Sequence, residues 1–441
     1  MNDKVIRDLG DGIIIRHGTK ADEQALVEFT IAIHSEGEWD GKGLDAWIRD
    51  LVSGKGPTFN PEDFTIVEDT ATGEIISSCC LISQIWSYEG VPFKVGRPEL
   101  VGTKKEYRRR GLVREQFTIL HQWSADRGEL IQAITGIPFY YRLFDYEMTM
   151  NLGGGRAGYE LHVPELKEEK EEPYQFRLAA VDDIPLLKTT YEYGSQRSMV
   201  QAIWDEGQWQ YELIGKRKYN INRREIYIIE TQSGEWAGFI GIPAIKWGKN
   251  SAVTLYELRP EFSWPDVTPS VIRFLWKKGE ELAKEQDQEQ KMFGFWLGEE
   301  HPAYLVTDIE LPRKIKPYAY YLRVSDLPAF IRTIKPVLEM RLKGSAFANY
   351  TGELKLSFYR EGLSLGFENG LLTAVEMLTF DELEDSTASF PYLTFLHMVF
   401  GYRTINEIKH MFKDCGTKND RNAHLLDALF PKKPSDVWPI S

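Results

Sequence analysis

Cysteine is nearly missing: Cys79, Cys80 and Cys415 are the whole complement of a 441-residue chain. An odd count with two adjacent residues makes no disulfide framework and lacks the spacing of a zinc site. The eight histidines show no metal-ligand spacing either, so no metal is expected and a reduced, cytoplasmic setting is. No apolar run approaches the length of a membrane span, and the opening MNDKVIRDLGDG has no apolar stretch of the signal-peptide kind. Basic charge is in short supply. Lys and Arg number 53 against 66 Asp and Glu, a net charge of −13. That balance argues against nucleic acid as a partner and favours cationic ligands such as amines. A nucleophile elbow and a P-loop are also absent.

What is present is ample core material: hydrophobic residues make up 42% of the chain, enough for packed cores in two or three domains. The chain also repeats itself. Ile15-Arg16, Asp22 and Leu26 recur as Phe176-Arg177, Asp183 and Leu187, and IVEDTATGEI recurs as IIETQSGEWA, both at a shift of about 161 residues. Each copy reads as a strand, a polar turn and the start of an amphipathic helix, followed by a hairpin. Two related α+β units are therefore expected at 1–160 and 165–325, joined by a charged linker. Residues 326–441 mix amphipathic helix with alternating strand patterns, a third α+β domain with an apolar interior.

One stretch stands out against the acidic background: YRRRGLV at 107–113. The strand ending at Thr103 precedes it, and Leu112, Val113, Phe117, Leu120 and Trp123 form one helix face after it. A helix N-terminus offers free N–H groups and a positive dipole end. Gly111 lets the backbone come close to a ligand, and Arg108, Arg109 and Arg110 add charge for a pyrophosphate. The same loop could also be a solvated helix entry. Shifting by 161 residues carries Arg108–Val113 onto PSVIRF at 269–274, which has no Arg-x-x-Gly, so the second unit is expected to be degenerate.

V-G-T-x-x-x-Y-R-R-R-G-L-V resembles the acetyl-CoA motif of the GCN5-related N-acetyltransferase (GNAT) superfamily, Gln/Arg-x-x-Gly-x-Gly/Ala, with Arg108, Gly111 and Val113 at its positions. Val113 departs from the usual small residue. Two such folds followed by a third domain resemble the enhanced intracellular survival family, which ends in a domain like sterol carrier protein. The resemblance implies acetyl-CoA as cosubstrate and transfer to the primary amine of a small molecule or peptide. It also implies a splayed strand at Leu100, Val101, Gly102 and Thr103 that pairs with the pantetheine arm, Leu112 at the helix entry, and a homo-oligomer, with hexamers usual.

Tyr141-x-x-Phe144-x-Tyr146 is similar to that family's Tyr-x-x-Phe-Gly-Tyr, with Asp145 replacing the glycine. The resemblance implies Tyr141 as general acid toward the coenzyme sulfur; a slip of one residue gives Tyr140 that role. The base has several candidates. The resemblance implies the C-terminal carboxylate, here Ser441. A water, His34, or Glu36, Glu38 or Asp40 in HSEGEWDG are the alternatives, and Trp39 and Trp86 could line an acceptor pocket. A rival reading makes the chain a non-catalytic lipid or small-molecule binding protein on disused acetyltransferase scaffolds.

Overall fold

Alternating apolar patterns in the first third of the chain fold into one extended sheet. Its strands are β1 (Val5–Gly10), β2 (Ile13–His17), β3 (Phe64–Asp69), β4 (Glu74–Tyr88), β5 (Val91–Thr103), β6 (Ile131–Ile134) and β7 (Glu147–Leu152). Helices α1 (Glu23–His34) and α2 (Glu38–Ser53) lie between β2 and β3, and α3 (Leu112–Asp126) connects β5 to β6. The computed structural model describes residues 5–166, 171–435 and 437.

The order of elements then recurs: β8 (Gly155–Tyr159), β9 (Tyr174–Leu178), α4 (Ile184–Ser195), β10 (Val200–Ala202), a short α5 (Glu206–Gln210), β11 (Arg224–Thr231), β12 (Trp236–Pro243), β13 (Asn250–Val253), β14 (Leu255–Leu258), α6 (Trp264–Glu285), β15 (Met292–Phe295), β16 (Arg313–Ile315) and β17 (Tyr318–Val324). The repeated residues explain themselves. Arg16 pairs with Asp22 at 2.7 Å and with Glu68 at 2.6 Å. Arg177 pairs with Asp183 at 2.7 Å and with Glu230 at 2.8 Å. In both copies the aspartate also accepts the backbone N–H at the helix entry, so one ion pair ties strand to helix.

The sheets are not partitioned in chain order. The large sheet runs β1-β2-β3-β4-β5-β6-β17-β7, with β10 pairing on β4. A second runs β14-β12-β11-β9 and a third β13-β15-β8-β16. Strand β17 therefore lies between β6 and β7, and β8 between β15 and β16. The segments 147–159 and 313–324 each give one strand to either side. Gly153 and Gly154, at φ 61° and 89°, make the crossing, and a Cβ on Gly154 would meet the Pro317 nitrogen at 2.9 Å.

The last 115 or so residues ( for the boundary) start with α7 (Leu327–Thr333) and α8 (Lys335–Lys343). Strands β18 (Gly352–Ser357), β19 (Gly362–Glu368) and β20 (Leu371–Leu378) follow, then β21 (Ala388–Ser389), α9 (Leu396–Val399), α10 (Ile405–Met411), β22 (Gly416–Thr417) and α11 (Asp420–Leu429). The outer end of β4 reaches this domain. Trp86, Tyr88 and Phe93 share one core with Trp204 and Trp209 of the middle region and with Phe330, Leu354 and Phe395 of the last. Tyr88 donates to Val399 O at 2.6 Å, and Arg341 pairs with Glu89 at 3.0 Å. No helix among the described residues is long and apolar enough to cross a membrane.

Candidate active site

Strands β5 and β6 run parallel and pair at Val95 with Ile131 and at Gly96 with Gln132. Beyond that they separate, while β5 keeps its pairing with β4 as far as Thr103. A bulge marks the change. The β4–β5 register shifts between Ser78 and Cys80, and Leu100 takes φ 56°, a conformation that L-residues seldom adopt. The gap between the strands opens into a cleft of about 810 Å³.

The cleft contains Leu100, Val101, Gly102 and Thr103 on its strand wall and Arg108, Arg109, Gly111, Leu112 and Val113 at its helix end. Gly111 is the N-cap of α3 at φ 79°, which needs glycine's freedom, and no side chain caps the helix. The first-turn amides therefore remain available to an anion. Arg108 is steadied by its Nε donating to Thr103 O at 3.2 Å. Arg110 is not among the lining residues; its guanidinium lies 5.5 Å from the Tyr107 ring. Val113 packs with Phe117, Ile134, Tyr141 and Phe144, so its bulk continues the aromatic wall.

Tyr141 lines the cleft from the short turn Tyr140–Phe144. Its ring stacks on Phe117 at 5.8 Å and meets Tyr140 and Tyr321 edge-on. A Cβ on Gly136 would come within 2.4 Å of that ring, so glycine is what lets the tyrosine in. Among the described residues the Tyr141 hydroxyl has no hydrogen-bond partner. Burial raises its pKa well above the usual tyrosine value, and the Glu99 carboxylate adds to the rise. Tyr140 also lines the cleft, and burial raises its pKa, with Arg114 opposing.

Glu99 was not singled out by the sequence. It lines the cleft directly before the bulge and pairs with the buried Arg97. Burial raises its pKa, and Arg97 opposes the rise. A charged residue in a strand otherwise rich in apolar side chains was the available signal. The opposite wall comes from α1 and α2: Ile33, His34, Leu44 and Trp47. Desolvation lowers the His34 pKa, with a hydrogen bond to the Leu100 backbone opposing.

Other sequence candidates fall elsewhere. Glu36, Glu38 and Asp40 are exposed around the start of α2, and Glu38 pairs with Lys42 at 2.7 Å; none lines the cleft. Trp39 is a strut: its indole N–H donates to Gln286 O at 2.8 Å, at the end of α6. Trp86 is fully buried at the centre of the shared core, where its Nε1 donates to Gln84 at 2.9 Å, and it does not reach the cleft. Helix α2 reaches the cleft through Leu44 and Trp47, one to two turns further along than the acidic run. Ser441 lies outside the described residues. Among the described residues no group of His, Cys, Asp and Glu could hold a metal ion.

The second copy of the cleft can be located by counting across the sheets. Arg16 leads through Ile66 and Ser78 to Gly102. Arg177 leads through Ile228 and Phe239 to Glu257. The helix after this strand begins at Trp264 with Ser263 as N-cap and Pro265 in its first turn. Residues 269–274 thus fall inside α6: the hairpin from Phe239 to Glu257 is six residues shorter than that from Ser78 to Gly102, and the loop 259–263 is three shorter than 104–111. The corrected loop, RPEFS, still lacks Arg-x-x-Gly.

Residues 15–149 match the family model for an acetyltransferase (GNAT) domain. No curated protein matches the sequence. Among solved structures, the chain is similar to a GCN5-related N-acetyltransferase from Kribbella flavida, at 16% identity and TM-score 0.64, covering 97% of this chain and 98% of that one. It is similar to Eis1 from Mycobacterium abscessus at 11% identity and TM-score 0.59, over 96% and 99%. The N-myristoyltransferase of Saccharomyces cerevisiae, solved with myristoyl-CoA, matches at 11% identity and TM-score 0.51, over 74% and 81%. At these identities the likeness speaks for the fold. The chain is a mixed α/β protein with GNAT-like folds, and its first part carries an acetyltransferase domain of the GNAT superfamily.

Proposed function

We propose that this chain is an acetyl-CoA-dependent N-acetyltransferase that passes the acetyl group directly to the primary amine of a small molecule or peptide. The observation that carries the reading is a single cleft holding the splayed strand, the uncapped glycine-led helix and a buried tyrosine together. The backbone of 100–103 would take the pantetheine arm. Arg108, Arg109 and the amides of 111–113 would take the pyrophosphate, and the glycine and the absent cap leave them room.

In the reaction the amine nitrogen attacks the thioester carbon, the C–S bond breaks, and the thiolate leaves. Tyr141, which lines the cleft, gives its hydroxyl proton to that sulfur. The proton lost by the amine goes to Glu99, directly or through a water, since Glu99 is the carboxylate that lines the cleft among the described residues and burial raises its pKa, with Arg97 opposing. The wall of Ile33, Leu44 and Trp47 suits an acceptor with an apolar body behind its amine.

The reading divides the chain into a catalytic unit at 1–160, a degenerate acetyltransferase unit at 165–325 and a sterol-carrier-like domain at 326–441, assembled as a homo-oligomer. The test is calorimetry with acetyl-CoA beside an assay of free coenzyme A over a panel of amines. Saturable binding, weakened about tenfold by Arg108→Ala, with release of coenzyme A only when an amine is present, is the expected result. A chain that binds no acetyl-CoA, or binds it equally well without Arg108, is not this enzyme.

A further inference from the structure

The middle region has its own cavity in the place that corresponds to the cleft. It lies between the end of α4, strand β14 and the segment 297–301 that follows β15, and its volume is about 60 Å³. Four side chains that line it carry buried polar atoms with no hydrogen-bond partner among the described residues: Nη1 and Nη2 of Arg224, whose guanidinium lies over the Trp204 ring at 4.9 Å, Nε1 of Trp204, Oε1 of Gln201 and Oε2 of Glu257. The residues are 2%, 3%, 8% and 8% exposed. Native interiors pair nine in ten or more of such groups. Five orphaned atoms around one cavity point to a missing occupant.

Charge narrows what that occupant is. Glu212 accepts from Lys216 Nζ at 2.6 Å and from Arg224 Nε at 2.9 Å, so one buried carboxylate serves two buried cations. Asp50, the next carboxylate, is taken by Arg217 at 3.0 Å. Across the cavity Arg197 meets Glu257 at 2.6 Å and His301 at 3.3 Å. Burial holds the His301 pKa well below its usual value, so the ring adds no positive charge. The triad joins the Arg224 guanidinium to Glu212 through Nε alone, and burial lowers the Lys216 pKa. The open edge of the triad is the Nη1–Nη2 side of Arg224, two donors in one plane, the shape that suits the two oxygens of a carboxylate. Trp204 adds a donor. Gln201 and Glu257 offer acceptors to a hydroxyl or an ammonium group on the same molecule.

We propose that this cavity is a binding site for a short carboxylate with a neighbouring hydroxyl or amino group, held by Arg224 and Trp204 at one end and by Gln201 and Glu257 at the other. The space admits a few heavy atoms and excludes a coenzyme. The proposal is independent of the acetyltransferase reading, and an Arg108→Ala protein should keep the site.

The test uses the full chain, with thermal unfolding and calorimetry against glycolate, glycine, acetate, inorganic phosphate and chloride at matched ionic strength. Glycolate or glycine should raise the Tm saturably and bind more tightly than acetate, while chloride does neither. Arg224→Lys, which keeps the charge beside Glu212 and removes the forked edge, should abolish binding. If that variant does not fold, Trp204→Phe decides: it should weaken binding about tenfold. A Tm that does not respond to the carboxylates, binding that Trp204→Phe leaves unchanged, phosphate binding without carboxylate binding, or a crystal soaked in glycolate with only water in the cavity would each overturn the assignment.

Discussion

The two halves of the repeat start from one ion-pair pattern and end in opposite sites. In the first, Gly102 leaves the strand wall bare, Gly111 opens the helix, and the cleft holds about 810 Å³. In the second, Glu257 stands where Gly102 does, and Pro265 enters the helix. A cavity of about 60 Å³ is what remains. Size has also changed sides between strand and helix. A Cβ on Gly102 would crowd Ile33 at 3.0 Å on α1, whereas a Cβ on Gly194 of α4 would strike the Glu257 carboxyl at 2.2 Å. Each unit keeps a glycine at this contact, and which partner carries it decides whether a long ligand can lie along the strand. A handful of positions, with the fold retained, separates an open site from a closed one.

The largest effect is expected when the glutamate of the closed site is placed in the open one. Gly102→Glu should abolish acetyl-CoA binding, with at least a 100-fold loss by calorimetry ( for the cost of an unpaired buried charge), while circular dichroism shows the fold retained. Tyr141→Phe should come next: kcat lower by roughly 100-fold with acetyl-CoA affinity unchanged. Tyr140→Phe serves as the paired control and should change kcat less than about twofold on the same scale. A control that falls as far as Tyr141→Phe would transfer the acid role to Tyr140.

How much of this was readable in advance follows from how local each signal was. Arg108, Gly111 and the Phe117 face of α3 lie within one strand-loop-helix passage, and neighbours in sequence are neighbours in the cleft. Glu99 was hidden because the bulge at Leu100 breaks the alternation that assigns side chains to faces. Trp86 and Trp39 look like pocket residues in sequence because an indole suits a core, an interface or a ligand equally well. Only the arrival of Tyr320 beside one and Gln286 beside the other decides. The 161-residue shift holds from Arg16 to Ser78 and fails at the helix entry, because the β4–β5 hairpin is longer than its counterpart β12–β14 and the loop that follows is longer too.

Glu99 offers a finer comparison, since both sites contain a buried glutamate whose pKa burial raises. If Glu99 is the base, kcat/KM should fall as pH drops through its raised pKa, because the working form is the deprotonated one. Glu99→Gln should lower the rate and flatten that limb. Glu257→Gln, at the corresponding wall, should leave the pH–rate profile in place. The smallest expected effect is at the strut between the units. Trp39→Phe loses one hydrogen bond, about 1 kcal/mol in denaturant unfolding, and should leave kcat and KM for every amine unchanged. A change in amine preference would return Trp39 to the acceptor site.

The strand exchange has a consequence for how the molecule comes into being. During translation the nascent chain emerges from its N-terminus, and the edge of β6 that β17 covers stays open until residue 324 has left the ribosome. The wall behind Tyr141 includes Tyr321, so the surroundings of that tyrosine are finished by one of the later strands to be synthesised. A truncated message or a premature stop in the second half would therefore yield the whole acetyltransferase motif without its finished pocket. A chain ending before Tyr318 lacks the strand that covers β6 and the ring that backs Tyr141.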